Sequence, residues 1–168
     1  YVAGTEAGKS VKGLSFDAEI DMAQVRREEE SIMAPMTRDE GYSPEEFESF
    51  IRQIMEHYMG HKRSLTGLNI AMDKLQLIEK SRNRIKTDSY HELTRANEAL
   101  HLLRYCQLMI RSVIERKGMR GFYNLVDYPP KLDPELRDKY VVLSQINGEQ
   151  KVTFELIEPE DKEVPDAA

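Results

Sequence analysis

Three groups of residues have types and spacing that could support chemistry. The first is Ala3-Gly4-Thr5-Glu6-Ala7-Gly8-Lys9-Ser10, which fits a phosphate-binding loop, G-x-x-x-x-G-K-[ST], with alanine in place of the first glycine. Such a loop cradles phosphates with backbone amides, uses its lysine and hydroxyl for phosphate and magnesium, and follows a buried strand of a parallel sheet. Only Tyr1-Val2 precede it, no later apolar strand ends in a magnesium-binding aspartate, and helical patterns follow in succession. The segment therefore reads as a helix of small residues packed against something. The second group is His57 and His61, whose i, i+4 spacing would put two imidazoles on one helical face for a metal. Gly60 ends the helix between them and no third ligand is in view, so they read as surface histidines. The third comprises Arg82, Arg84 and Lys86, then Arg116, Lys117 and Arg120; basic residues at helix ends complement the negative end of the dipole without needing an anion. His91 and His101, ten residues apart, do not share a face, and Cys106 sits among Leu, Met and Ile as a small buried hydrophobe. From residue types and spacing, no catalytic, cofactor-binding or metal site is assigned to this chain.

The remaining composition narrows the classes. Lys and Arg number 24 against 30 Asp and Glu in 168 residues, for a net charge of −6. A nucleic-acid partner is excluded, since that affinity comes from a basic surface releasing counterions. No apolar run approaches the roughly 18 residues that span a bilayer, so no direct membrane insertion is expected. The N-terminus lacks a charged region followed by an apolar stretch. A single cysteine excludes an internal disulfide framework and fits a cytoplasmic location.

Around these residues the periodicity predicts a mainly α fold: an antiparallel three- to four-helix bundle, spectrin-repeat-like, with a C-terminal β-hairpin. The first helix runs from about Asp17 to Met33, closed by Pro35. Ser43-Pro44-Glu45-Glu46 opens the second with a capping hydroxyl, a proline where its missing N–H costs nothing, and two carboxylates at the positive end of the dipole. Phe47, Phe50, Ile51, Ile54 and Tyr58 then follow helical spacing. The third, Leu65 to Ile85, places Leu68, Ala71, Leu75 and Ile78 on one stripe, with Met72 beside them.

Asp88-Ser89 caps the fourth, which reaches Lys117. Leu93, Ala96, Leu100, Leu103, Ile110 and Ile114 form one seam and Leu102, Cys106, Met109 and Val113 a second, so this helix must be contacted on more than one side. Residues 119–139 read as irregular. Tyr140 to Gln145 and Gln150 to Leu156 alternate as strands around Asn147-Gly148, a pair suited to a tight hairpin turn. The end, 158–168, reads as a disordered acidic tail.

The segment Leu103 to Lys117, LRYCQLMIRSVIERK, followed by Gly118-Met119-Arg120-Gly121 and Val126-Asp127-Tyr128-Pro129, resembles the C-terminal helical region of the succinate dehydrogenase and fumarate reductase flavoproteins. There a long helix with an A-x-x-x-x-R-x-E-S-R-G-like end is followed by D-[YF]-P. Ala34-Pro35-Met36, Ser43-Pro44, Ile51-Arg52-Gln53-Ile54-Met55 and Gly67-Leu68 agree in order, and Gly4, Ala7 and Gly8 resemble the small-residue helix after the last flavin-contacting loop.

The resemblance implies that this chain is the C-terminal part of a flavin-dependent oxidoreductase. FAD would be bound by an upstream domain of the same polypeptide and by nothing in this chain. It implies an iron–sulfur partner subunit and a place on the cytoplasmic face of the membrane through partner subunits. It divides the chain into 1–16, a residual helix of the FAD domain; 17–118, the bundle; 119–157, an irregular segment and hairpin; and 158–168, the tail. Arg120, Gly121, Asp127, Tyr128 and Pro129 are the implied structural and interface residues, with Asp127 as a partner for Arg120. Gly118-Met119 replaces the usual Glu-Ser and Tyr123 a frequent His. The substrate class stays open, because adenylylsulfate reductase and aspartate oxidase share the architecture. A free-standing helical interaction module and a phosphate-loop nucleotide-binding protein are the rival readings.

Overall fold

The computed structural model describes residues 2–13, 19–117, 124–128, 134–136, 138–146 and 149–157. It divides into two units, 1–33 and 34–168. In the first, α1 spans Val2–Ser10 and α2 spans Met22–Met33. Helix α2 begins five residues later than periodicity suggests, because Asp21 caps it: its Oδ1 accepts from the amides of Ala23 at 2.9 Å and Gln24 at 3.1 Å. Met22, Val25 and Ile32 on α2 are exposed.

In the second unit, Ala34–Thr37 forms a 3-10 turn around the buried Pro35. Helix α3 spans Pro44–Tyr58 and opens with the expected signal in full. The Ser43 hydroxyl accepts from the Glu46 amide at 3.2 Å while the Glu46 carboxylate accepts from the Ser43 amide at 2.8 Å, a reciprocal capping box. Helix α4 spans Leu65–Lys80, capped by Ser64, and α5 spans Tyr90–Arg116, capped by Ser89.

The three helices bury one shared core. Phe47 and Ile51 come from α3, Leu68, Ala71 and Leu75 from α4, and Ala96, Ala99, Leu103, Cys106, Ile110 and Val113 from α5. Each fully buried large side chain contributes about 1.5–3 kcal/mol of burial free energy. Helix α4 stops at Lys80, short of Ile85, because Ile85 serves the core from an extended backbone. The Tyr42 amide donates to the Arg84 carbonyl at 2.8 Å and the Lys86 amide to the Tyr42 carbonyl at 2.9 Å, pairing Tyr42 with Ile85. A Cβ at Gly41 would lie 2.2 Å from the Arg84 oxygen, so only glycine permits this approach.

Two further strands, β1 (Lys62–Arg63) and β2 (Asn124–Leu125), pair in parallel, an element that periodicity does not reveal. The hairpin follows as β3 (Lys139–Ile146) and β4 (Glu149–Leu156), antiparallel in unbroken register from Lys139 opposite Leu156 to Ile146 opposite Glu149. Asn147 and Gly148, the expected turn residues, lie outside the described set, as does the tail from 158. Strand β3 packs against α5 and Arg116 anchors its start, donating to the carbonyls of Lys139 at 3.1 Å and Leu136 at 3.4 Å.

The core placement carries a test. Leu103 and Ile110 are 3% and 0% exposed, so truncating either to Ala should cost about 2–5 kcal/mol in denaturant unfolding. Leu77 on α4, 65% exposed, should tolerate the same change within about 0.5 kcal/mol. Equal losses at all three positions would contradict this packing.

Candidate functional site

The residues singled out by family resemblance follow α5, whose last residue hands over to Lys117 in the left-handed conformation at φ 49°. Arg120, Gly121 and Pro129 lie outside the described residues, and with them any contact between Arg120 and Asp127. Residues 124–128 are described, and they close over the turn between α3 and α4. Leu125 is wholly buried in the core, and Tyr128 packs against the core's edge. The Val126 amide donates to the Arg63 carbonyl at 2.8 Å, extending the β1–β2 pairing, and the Tyr128 amide turns back to the Leu125 carbonyl at 3.1 Å.

Asp127 then reaches 62 residues back along the chain. Its Oδ2 accepts from the Leu65 amide at 2.7 Å, at the first residue of α4, while the Ser64 hydroxyl accepts from Gly67 at 3.0 Å. Two of the orphan donors that begin α4 are thus satisfied, one by a residue distant in sequence, and the carboxylate sits at the positive end of the helix. Across the same turn, Arg63 Nε donates to the carbonyls of Met59 at 3.2 Å and Gly60 at 2.8 Å, where α3 ends. A cation serves the outgoing helix and an anion the incoming one. Among the described contacts, the polar groups of this segment are spent on the bundle's own backbone.

The other candidates resolve into local roles. Residues 2–10 form a continuous helix, so the amides from Glu6 onward are committed within it; Lys9 pairs with Glu6 at 2.6 Å and the Ser10 hydroxyl donates to the Ala7 carbonyl at 2.8 Å. A Cβ on Gly4 or Gly8 would meet nothing within 4 Å, so neither glycine lines a cradle. A helix over these residues is not the open loop that a phosphate-binding motif requires. His57 lies on α3, edge-on to Tyr58 at 4.6 Å, and His61 lies beyond the helix end. Among the described residues, no group of three or more His, Cys, Asp or Glu could hold a metal.

Cys106 is buried, and that burial pushes its thiol above the usual range, away from a nucleophilic thiolate. Arg84 lies 5.1 Å from the Tyr42 ring centroid, and Lys86 pairs with Asp88 at 2.9 Å. The hydrogen bond to Asp88 and its charge raise the Lys86 pKa above the ordinary lysine value.

Sequence reasoning missed one polar feature. Between α4, α5 and the hairpin lies a cleft of about 260 Å³ lined by Gln76, Glu79, Arg104, Gln107, Gln145 and Gln150. Gln107, 6% exposed, donates to Glu79 at 2.7 Å, and Arg104 donates to Gln145 at 3.0 Å. The available signal was an amide next to Cys106 in an apolar seam.

Residues 49–166 match the family described as fumarate reductase flavoprotein C-term. The chain belongs to that family. As a flavoprotein C-terminal domain it is 33% identical over 86 residues to L-aspartate oxidase of Vibrio cholerae, covering 49% of this chain and 15% of the relative. It is 27% identical over 135 residues to an FAD-dependent oxidoreductase of Methanocaldococcus jannaschii, covering 76% and 24%. Among solved structures, adenylylsulfate reductase of Archaeoglobus fulgidus shares its fold, with a TM-score of 0.80 at 23% identity over 93% of this chain and 27% of that one. The domain therefore spans about a quarter or less of each of these proteins. Family membership and the helical course of α1 leave no support for the phosphate-loop reading.

If Asp127 caps α4, Asp127→Ala should destabilise the domain by about 0.5–2 kcal/mol, the range for losing a capping acceptor. Hydrogen exchange at the Leu65 amide should accelerate in the variant. Unchanged exchange there would remove Asp127 from the α4 N-terminus.

Proposed function

We propose that this chain works as the C-terminal helical part of a longer FAD-dependent oxidoreductase, buttressing an upstream flavin domain of the same polypeptide and offering an interface to partner subunits. The family match over 49–166 carries this reading. In the intact enzyme, the family resemblance favours hydride transfer between a dicarboxylate and FAD, with electrons passing on to an iron–sulfur subunit. The chemistry would belong to the upstream domain, because the polar groups described here serve helix ends, the hairpin and each other.

On this reading 1–16 completes the flavin domain, 17–118 is the bundle, 119–157 the closing segment and hairpin, and 158–168 an acidic tail. Arg120, Gly121, Asp127, Tyr128 and Pro129 keep the structural and interface role that family resemblance gives them. The enzyme would work in the cytoplasm, reaching a membrane face only through partners; among the described residues, no helix is long and apolar enough to cross a membrane. A free-standing interaction module is less favoured, because the shared fold belongs to much longer redox proteins.

Two observations test the proposal. The coding sequence before Tyr1 should continue in frame into a Gly-rich dinucleotide-binding fold, and a stop codon there would contradict it. The 168-residue chain, mixed with FAD and desalted, should keep no flavin absorbance and should not reduce fumarate with artificial electron carriers. Flavin retained near one equivalent would place the cofactor site in this chain instead.

A further inference from the structure

We infer that the outer edge of β4 is a self-association surface, on which a second copy of this chain adds its own β4 in antiparallel register. Among the described residues the sheet has two strands, so no strand covers that edge. Protected edges carry prolines, bulges, very short strands or charged side chains, lysine above all. Strand β4 has eight residues in unbroken register and no proline, and its three charges, Glu149, Lys151 and Glu155, are of both signs. Its helix-facing side runs Val152, Phe154 and Leu156; Phe154 is 37% and Leu156 66% exposed. An apolar strip thus continues past the part of the hairpin that α5 covers.

The charges on β4 select the occupant. Two identical antiparallel strands related by a two-fold axis through the sheet place residues of the same face opposite one another, so the axis must pass through one residue. Centred on Thr153, the register sets Lys151 opposite Glu155 twice and Val152 opposite Phe154 twice, with the two threonines meeting on the axis. Opposite charges, β-branched–aromatic pairs and Thr–Thr pairs are all favourable across strands. Moving the centre to Val152 sets Glu149 against Glu155, and moving it to Phe154 breaks both Lys151–Glu155 pairs, leaving Lys151 opposite Ile157 and Glu155 opposite Thr153. Of these three registers only the one centred on Thr153 pairs opposite charges and sets no like charges together, with Glu149 and Ile157 meeting at its ends. Glu155 already accepts from the Tyr140 hydroxyl through Oε2 at 2.9 Å, which holds the carboxylate on the outer face.

Space is available for the helices. With strands about 4.8 Å apart, the two β3 strands of a β3–β4–β4–β3 sheet stand about 14 Å apart. That exceeds the roughly 8–10 Å at which helices pack, so the α5 helix over each β3 clears its counterpart.

The test is sedimentation equilibrium on the 168-residue chain from micromolar to submillimolar concentration, with circular dichroism to confirm that each variant keeps its helices. The wild-type chain should associate to twice its 19.5 kDa mass. K151E and E155K should each weaken association by about tenfold or more, because each creates two like-charge pairs. Mixing the two variants should restore association, since the acidic positions 151 and 155 of one edge then face the basic positions 155 and 151 of the other, and the K151E/E155K double variant should associate by itself. A monomeric wild-type chain, as expected if β4 takes a strand of a different protein, overturns the inference. So does a dimer indifferent to both charge reversals, or folded single variants that fail to associate when mixed.

Discussion

Helix α5 has to be covered on more than one side, and the rest of the second unit is arranged to cover it. Its buried positions run from Leu93 to Val113, over most of its 27 residues. An apolar surface that broad cannot be satisfied by one neighbouring helix. Helices α3 and α4 both pack on it, and β3 takes a further side. Small residues at the shared core, Ala71 on α4 with Ala96 and Ala99 on α5, leave room for the backbones to approach. Glu48 on α3 adds a polar tie by accepting from Arg95 of α5 at 2.8 Å.

The hairpin follows from the same demand. A two-stranded sheet is marginal alone in water. Here its first strand borrows stability from α5 through Arg116 at one end and Arg104 at the other, each side chain reaching from the helix to the strand or its approach. The helix gains cover and the hairpin gains a platform.

Much of this was legible in the sequence because it depends on local signals. Ser43-Pro44-Glu45-Glu46 announces α3 through capping chemistry that acts within four residues, and the alternation of Tyr140 to Gln145 and Gln150 to Leu156 announces the hairpin. Periodicity failed where a distant residue decides. Nothing near Ile85 shows that it leaves the helical stripe to pair with Tyr42, a partner 43 residues away. The β1–β2 pairing joins two-residue strands too short to carry an alternation. Asp127 stood out by family resemblance alone, and the expectation of an arginine partner gave no hint of the amide it serves, because the end of a helix advertises no acceptor from elsewhere in the chain. Gln107 was overlooked for a related reason: a single amide inside an apolar seam becomes informative only when Glu79 is seen across the helix contact.

Residues 124–128 are an integral part of the bundle, held by the Val126 and Leu65 hydrogen bonds and by the burial of Leu125. Native-state hydrogen exchange under increasing denaturant tests this most directly, since it separates groups that open locally from those that open with the whole fold. The amides of Val126 and Leu65 should exchange through the same opening as the amide of Ile110 in the middle of α5, with the same free energy and denaturant dependence. Exchange of Val126 and Leu65 through a local opening of much lower free energy, insensitive to denaturant while Ile110 stays protected, would contradict it.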